Sequence, residues 1–332
     1  MNNYPLISVV IPTYRREKLL QDSILDVLKQ DYPHFEVLVV DQTQTHEPET
    51  KAFLADMAAS GKIKLFSLDW ASLPGARNYA VRRSSGEIIL FIDDDIQLTP
   101  GFLAAHGKNY VENPKIGAVA GRVFDRMKLG DSRGELEIEY LPPEAMDPGI
   151  AWYHIDLVHT TKPQQVLTAR GCNMSFRREV FTKYGIQFDE RFRGSAVREE
   201  SDFCLRFRQS GYEIWYDPEA YLVHLGEETG GCHDISMRSL QYQLTFYHNH
   251  FLLGLKNLTF TQALRLYGRL FDCHVLGHPP CYKSASPIKV ATRSIFYFLG
   301  FLKAVGTMIQ SAWNDGQIYS RLDQQVEFCA RR

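Results

Sequence analysis

Short apolar runs and helix-spaced segments alternate cleanly over the first part of the chain. "LISVVIP" (6–12) reads as a strand, and "REKLLQDSILDVLKQ" (16–30) brings Leu19, Leu20, Ile24 and Leu28 to one helical face. "FEVLVVD" (35–41) is a second strand, "EPETKAFLADMAAS" (47–60) a helix and "KIKLFSL" (62–68) a third strand. "PGARNYAVRRSS" (74–85) is again helical and "EIILFID" (87–93) a fourth strand. Near-continuous Val/Ile/Leu runs joined by helices predict a mostly parallel, Rossmann-like α/β sheet with helices on both faces.

A helix "GFLAAHGKNYVEN" (101–113) and a strand "IGAVAGRVF" (116–124) continue the pattern. Residues 125–163 are weakly patterned and read as a partly ordered excursion at the rim of a site. Order returns with "VLTARGCNMSFRREVFTKYG" (166–185), a helix "EESDFCLRFRQSG" (199–211) and two strands, "YEIWYD" (212–217) and "AYLVHL" (220–225). Aromatic-rich helices then follow, "SLQYQLTFYHNHFLLGLKN" (239–257) and "TQALRLYGRLF" (261–271). The composition shift near 226–236 divides the chain into an α/β unit, 1–228, and a helical region, 229–332.

"SIFYFLGFLKAVGTMIQSAW" (294–313) is apolar around nearly its whole circumference, with Lys283, Lys289 and Arg293 upstream. Lys303 and Gln310 argue against a full membrane crossing. Two readings stay open, a buried packing helix and a helix resting on an anionic membrane surface.

Composition narrows the class. The 332 residues are 45% hydrophobic and 23% charged, as in ordinary globular chains. A net charge of −2 lacks the basic excess of nucleic-acid binders. Six scattered cysteines without a CxxC pair suit a reduced, cytoplasmic setting. No signal peptide is expected, since "MNNYPLISVVIPTYRR" has no basic n-region. Cys273, His274, His278 and Cys281 match no structural zinc spacing.

Chemistry concentrates where the strands end. "FIDDDIQL" (91–98) places Asp93, Asp94 and Asp95 together, which is unfavourable by about 1 to 4 kcal/mol per close pair unless a cation sits there. Thr99 and Pro100 already supply a start for the next helix, so the triplet is not that cap. Ligands bind parallel sheets beyond the carboxyl ends of the strands, where Pro12, Thr13, Tyr14 and Asp41 also lie. Tyr14 offers a face for a base, Asp41 an acceptor for a base or ribose, and Arg77 beside Asn78 a cation for phosphate oxygens. Neither a GxxxxGK[ST] loop nor a strand-following GxGxxG is present, which disfavours ordinary ATPases and dinucleotide enzymes.

In this order "ISVVIPTYRR", "VLVVDQT", "LPGARNYAVRRSSGEIILFIDDDIQLTPGFL", "GCNMSFRREVF" and "REESDFCLRFRQSGYEIWYDPEAYLVHLG" resemble the family 2 inverting glycosyltransferases of GT-A fold, over Pro5 to Gly226. The resemblance implies that Thr13, Tyr14, Asp41 and Arg77 hold a nucleotide, with Pro12, Asn78 and Asp94 in the same pocket. It implies that Asp93 contacts ribose and metal, that Asp95 binds Mg²⁺ or Mn²⁺, and that His224 completes the metal site. The family's acidic pair falls on Glu199 and Glu200. Its second member is the base and is normally Asp, so Glu200 is expected in that role with Glu199 as the alternative. Asn173 and Arg177 are the polar candidates on the acceptor or donor-sugar side.

The expected activity is inverting transfer of a hexosyl or deoxyhexosyl group from a UDP- or dTDP-sugar to a glycan or lipid-linked acceptor, in surface polysaccharide assembly. The expected location is cytoplasmic, peripheral at the inner face of the membrane, with no nucleic-acid partner. The competing classes are a sugar-phosphate nucleotidyltransferase, whose Gly-rich, Lys-bearing signature is replaced here by "PTYRR", and a non-catalytic nucleotide- or sugar-binding protein.

Overall fold

The computed structural model describes residues 4–125, 137–155, 159–226, 230–233, 240–279, 283 and 286–330. Parts of the weakly patterned excursion, parts of the 226–236 boundary and Cys281 lie outside the described residues. The first elements are β1 (Ile7–Thr13), α1 (Lys18–Leu28), β2 (Phe35–Asp41), α2 (Pro48–Ala59), β3 (Lys64–Ser67), α3 (Leu73–Val81) and β4 (Ile88–Ile92). They follow the predicted alternation. β5 (Ile96–Leu98), α4 (Phe102–Glu112) and β6 (Ile116–Asp125) come next. The excursion holds β7 (Glu137–Ile138), α5 (Ala151–Ile155) and β8 (His159–Thr160), and β9 (Gln164–Val166) follows it. β10 (Asn173–Arg177), α6 (Glu179–Thr182), α7 (Glu199–Phe207) and β11 (Glu213–His224) complete the α/β part. The helices α8 (Leu240–Asn257), α9 (Phe260–Leu270) and α10 (Pro287–Ala330) follow.

The main sheet runs β3-β2-β1-β4-β10-β6-β11-β5, with β9 also paired to β11. β3, β2, β1 and β4 are parallel, as are β6 and β11. β10 lies antiparallel between β4 and β6. Side-chain alternation builds a core on each face. Ile7, Val9, Ile11, Val37, Val39, Ile88 and Leu90 pack under α1, α2 and α4. Val10, Leu38, Val40, Ile89 and Phe91 pack under α3, α6 and α7.

Two local expectations change. The two strands predicted over 212–225 are one strand, β11, with a bulge between Asp217 and Tyr221 that lets it bend along β6. The short antiparallel strands β5 and β9 flank its two halves. Thr99 does not cap α4; Gly101 holds the cap position, and the Thr99 hydroxyl donates instead to the Tyr221 carbonyl at 2.7 Å.

β10 reads as an ordinary apolar strand on one side only. Met174 and Phe176 enter the second core, while Ser175 and Asn173 meet His106 of α4 through hydrogen bonds of 2.9 Å each. His106 is fully buried, and burial pushes its pKa down to about 4 from 6.5. As pH falls below 6.5 the unfolded chain takes up a proton that the folded chain refuses, so this contribution to stability is lost from pH 6.5 downward, by about 2 kcal/mol at pH 5. His106→Gln should flatten that part of the pH dependence of the urea midpoint between pH 7.5 and 5. An unchanged slope would assign the acid sensitivity to other groups.

The carboxyl-terminal helices close a third core, in which Tyr247, Phe251, Leu252 and Leu266 surround Trp152 and Phe192 from the α/β part. Asp202 of α7 accepts from Arg206, Lys256 and Asn257, joining the two parts electrostatically. α10 lies against α8 at Gly300, where a Cβ would come within 2.5 Å of the Tyr247 Cβ, so only glycine permits this approach. The opposite side of α10 is a stripe of Ile288, Ile295, Phe298, Leu302, Ile309 and Trp313, each at least 58% exposed. Pro287–Trp313 is long and apolar enough to cross a membrane by length and composition, with mean hydropathy 1.3. The helix is therefore packed on one face and bare on the other.

Candidate active site

β1, β2, β4, β6 and β11 all point the same way, so their last residues meet at one edge. Thr13, Asp41, Asp125 and His224 end four of them, and Asp93 follows β4 directly. Ligand atoms of Asp93, Asp95 and His224 come within 4.8 Å of one another, the one metal-capable group of this kind among the described residues. The His224 Nε2 stands 3.3 Å from Asp95 Oδ1 and 3.8 Å from Asp93 Oδ2. Its Nδ1 bonds Asp125 Oδ1 at 2.9 Å, in register across the β6–β11 pair. Arg170 donates to the other Asp125 oxygen at 3.0 Å.

Two carboxylates and one imidazole, oriented through its other nitrogen by a third carboxylate, are a donor set that suits a divalent cation. Burial alone would depress the His224 pKa, but Asp125, Asp95 and Asp93 override it and raise the pKa to about 10. Arg16 and Arg170 share the neutralisation of this acidic cluster, through Asp95 and Asp125.

The triplet divides by its surroundings. The Asp93 side chain is 33% exposed at the open edge. Asp94 and Asp95 are buried, and Arg16 spans them, with Nε 3.2 Å from Asp94 and Nη2 2.9 Å from Asp95. Burial and the adjacent Asp95 push the Asp94 pKa up against this pairing. Asp94 is therefore held from within by Arg16.

Arg77 and Asn78 are turned inward. Arg77 is 1% exposed, donates to the Gly171 carbonyl at 2.9 Å and forms an ion pair with Glu199, itself 1% exposed. Its Nη2 lies 3.9 Å from Asp93, so the guanidinium bridges the end of β4 and the start of α7. Burial lowers its pKa, and the field of Asp93 and Glu200 opposes that. Asn78 donates to the Phe188 carbonyl and accepts from the Phe188 N–H, both at 2.9 Å, which fastens the loop after α6. Both side chains serve the interior where an open contact to phosphate was expected.

Of the two acids at the start of α7, Glu199 is sealed in that ion pair. Glu200 is 15% exposed, accepts from the Ser201 hydroxyl at 3.1 Å and sits 3.7 Å from Arg198 Nη1. Arg198 in turn stacks 3.7 Å over the Trp152 ring. Arg177 donates to the Ile116 and Tyr110 carbonyls, and Asn173 to those of Arg122 and Ala220, so both tie strands together.

At the β1 end, Pro12 and Thr13 are buried and Tyr14 is half-buried, its ring beneath the Arg15 guanidinium at 5.1 Å. Asp41 is buried and accepts from the Thr43 N–H at 2.9 Å, with His46 Nε2 3.0 Å from its second oxygen. A carboxyl-terminal segment reaches this corner. The Gly231 N–H donates to the Tyr14 carbonyl at 2.8 Å, and Gly230 has φ +74° with its missing Cβ only 2.2 Å from the Arg15 carbonyl.

Arg15, Ala196 and Arg198 are the non-glycine residues with positive φ among the described residues. One follows β1 and the others precede α7, so the backbone strain, about 1–3 kcal/mol each, is collected around this edge. The sequence reading assigned no role to Arg16, His46, Asp125 or Arg198. Asp125 alone left a signal, as an acid closing an apolar run at the carboxyl edge.

A family model described as Glycosyl transferase family 2 matches residues 8–185. The O-antigen biosynthesis protein RfbC of Myxococcus xanthus is 28% identical over 227 residues, which cover 66% of this chain and 17% of that protein. The UDP-Glc:alpha-D-GlcNAc-diphosphoundecaprenol beta-1,3-glucosyltransferase WfgD of Escherichia coli is 35% identical over 96 residues, 29% of this chain and 36% of that one. The chain thus matches well under half the length of either relative. The mannosyltransferase PcManGT of Pyrobaculum calidifontis, solved with GDP-Man and Mn²⁺, superposes with a TM-score of 0.53 at 18% identity, covering 94% of this chain and 80% of its own. That likeness places the sheet and its helices in the GT-A fold.

Proposed function

The chain belongs to glycosyl transferase family 2, and on that premise we propose that it is a metal-dependent, inverting hexosyl- or deoxyhexosyltransferase of surface polysaccharide assembly. Its donor is a UDP- or dTDP-sugar and its acceptor a hydroxyl of a lipid-linked glycan. The observation that carries this reading is the convergence of Asp93, Asp95 and His224 at the sheet edge, with Arg77 linking that edge to the helix that carries Glu200. Residues 1–228 form the catalytic unit in this reading and 229–332 its helical partner.

Asp93, Asp95 and His224 would hold Mg²⁺ or Mn²⁺, which when bound supplies Lewis-acid neutralisation of a diphosphate leaving group. Asp125 keeps the His224 Nε2 turned toward the two carboxylates. Arg16 holds Asp95 in place and limits repulsion within the triplet. Tyr14 and Asp41 flank the corner where the nucleotide base would sit, and Asp93 is exposed for the ribose. Glu200 takes the proton of the acceptor hydroxyl as its oxygen attacks the anomeric carbon. The bond to the diphosphate oxygen breaks on the opposite face, the nucleoside diphosphate leaves with the bonding pair, and one displacement inverts the anomeric centre.

Nucleotide release screened across donor sugars with Mn²⁺ or Mg²⁺ tests the reading. Asp95→Ala is expected to lower release at least about 100-fold, the scale on which metal ligation and its support affect activity. Full activity of this variant in chelator would remove the metal from the mechanism.

The exposed stripe of α10, with Lys289 and Lys303 beside it, fits a helix lying on an anionic membrane at the cytoplasmic face. Flotation with vesicles containing phosphatidylglycerol should carry the wild type upward, and the double variant Ile295→Glu/Leu302→Glu should stay at the bottom. Equal flotation of the two proteins would leave the stripe without this role.

A further inference from the structure

One indole at the nucleotide corner has no part in the mechanism so far. Trp70 lies in the loop between β3 and α3, at the carboxyl edge of the sheet and beside the end of β2. Asp41 and Ser67 close the paired strands β2 and β3 in register, and the Leu68 N–H donates to the Asp41 carbonyl at 2.8 Å. Two residues beyond Trp70, the Ser72 N–H donates to Oε1 of the buried Gln42 at 2.6 Å. The Gln42 N–H in turn donates to the Thr13 carbonyl at 3.0 Å. The loop is thus fastened, on both sides of Trp70, to the ends of β1 and β2.

The ring itself is seated. It lies on the first turn of α3 at Gly75, where a Cβ would come within 2.5 Å of Trp70 Cζ3 and 2.7 Å of Cη2. Any larger residue at position 75 would push the indole off this seat. Trp70 nevertheless remains 41% exposed, whereas Trp152 is buried in the third core at 5%. It makes no ring or cation contact among the described residues. The Tyr14 ring of the same corner, by contrast, already lies under the Arg15 guanidinium. A fixed, uncovered aromatic surface beside Asp41 is what a flat heteroaromatic ligand needs.

We propose that Trp70 is the surface on which the base of the donor nucleotide stacks, with Asp41 at the edge of that base. The inference rests on the proposed nucleotide-sugar donor. Stacking is open to every base, so Trp70 contributes affinity and leaves the choice of base to polar groups such as Asp41.

Binding of UDP to the full chain in Mn²⁺, measured by calorimetry and by quenching of tryptophan emission, tests it. The wild type should bind UDP with loss of emission, and Trp70→Ala should bind at least about tenfold more weakly. Trp70→Phe should keep its affinity within about threefold, since it retains a ring, yet lose most of the quenching. The other three tryptophans lie elsewhere, Trp152 in the third core, Trp215 against the first and Trp313 on α10. Inorganic pyrophosphate, which has no base, should bind the wild type and Trp70→Ala alike; equal losses for both probes would assign the effect to the phosphate site and overturn the stacking role. Wild-type UDP affinity in Trp70→Ala, or undiminished quenching in Trp70→Phe, would also overturn it and leave the donor reading intact. Failure of the wild type to bind UDP, dTDP and GDP alike would overturn the nucleotide-donor reading, and the stacking role with it.

Discussion

Glu200→Gln is expected to fold and bind nucleotide normally while sugar transfer falls about 100- to 10,000-fold, the usual contribution of a positioned general base. The expectation rests on a contrast between neighbours. Glu200 is partly open at the first turn of α7, where the helix end favours negative charge. Glu199, one residue earlier, is sealed against Arg77. Transfer measured under saturating donor, with nucleotide affinity measured separately, distinguishes loss of the base from loss of binding. Normal turnover by Glu200→Gln alongside a dead but folded Glu199→Gln would move the base by one residue.

Arg77→Met is expected to cost about 3–5 kcal/mol of stability, because it strands the Glu199 carboxylate in the interior. Glu199→Gln should be destabilising for the converse reason, and Arg77→Met/Glu199→Gln should recover most of the loss, since removing both charges leaves none unpaired. Urea unfolding of the four proteins measures this cycle directly. If Arg77 were instead an open phosphate contact, Arg77→Met would keep its stability and raise the donor KM. The buried geometry predicts the reverse ordering of effects.

The strand-helix alternation through residue 124 was legible because each strand is a bare apolar run and each helix has a single apolar face. Placing Asp93, Asp41 and Thr13 at one edge followed from parallel topology alone. The antiparallel β10 was harder to read, since Ser175 and Asn173 face a buried histidine and the run does not look like a central strand. Arg77 illustrates the other limit. A cation near a strand edge reads as a ligand contact, and only the fold reveals that Glu199, far along the chain, neutralises it. The roles of Arg16 and Arg198 were equally invisible, because their partners are set by tertiary approach and by backbone conformation rather than by spacing.

The bulge in β11 sets the parity of what reaches the site. Asp217 pairs with Gly121 and Tyr221 with the very next residue, Arg122, so three residues loop out without advancing the register. Side chains alternate along a strand, so the pairing resumed at Tyr221 decides which side chains of β11 face the site. With no residues looped out and Asp217 still paired to Gly121, Tyr221 would stand opposite Asp125 where His224 now does. The three looped-out residues are therefore what bring His224, in place of Tyr221, beside Asp125 at the sheet edge.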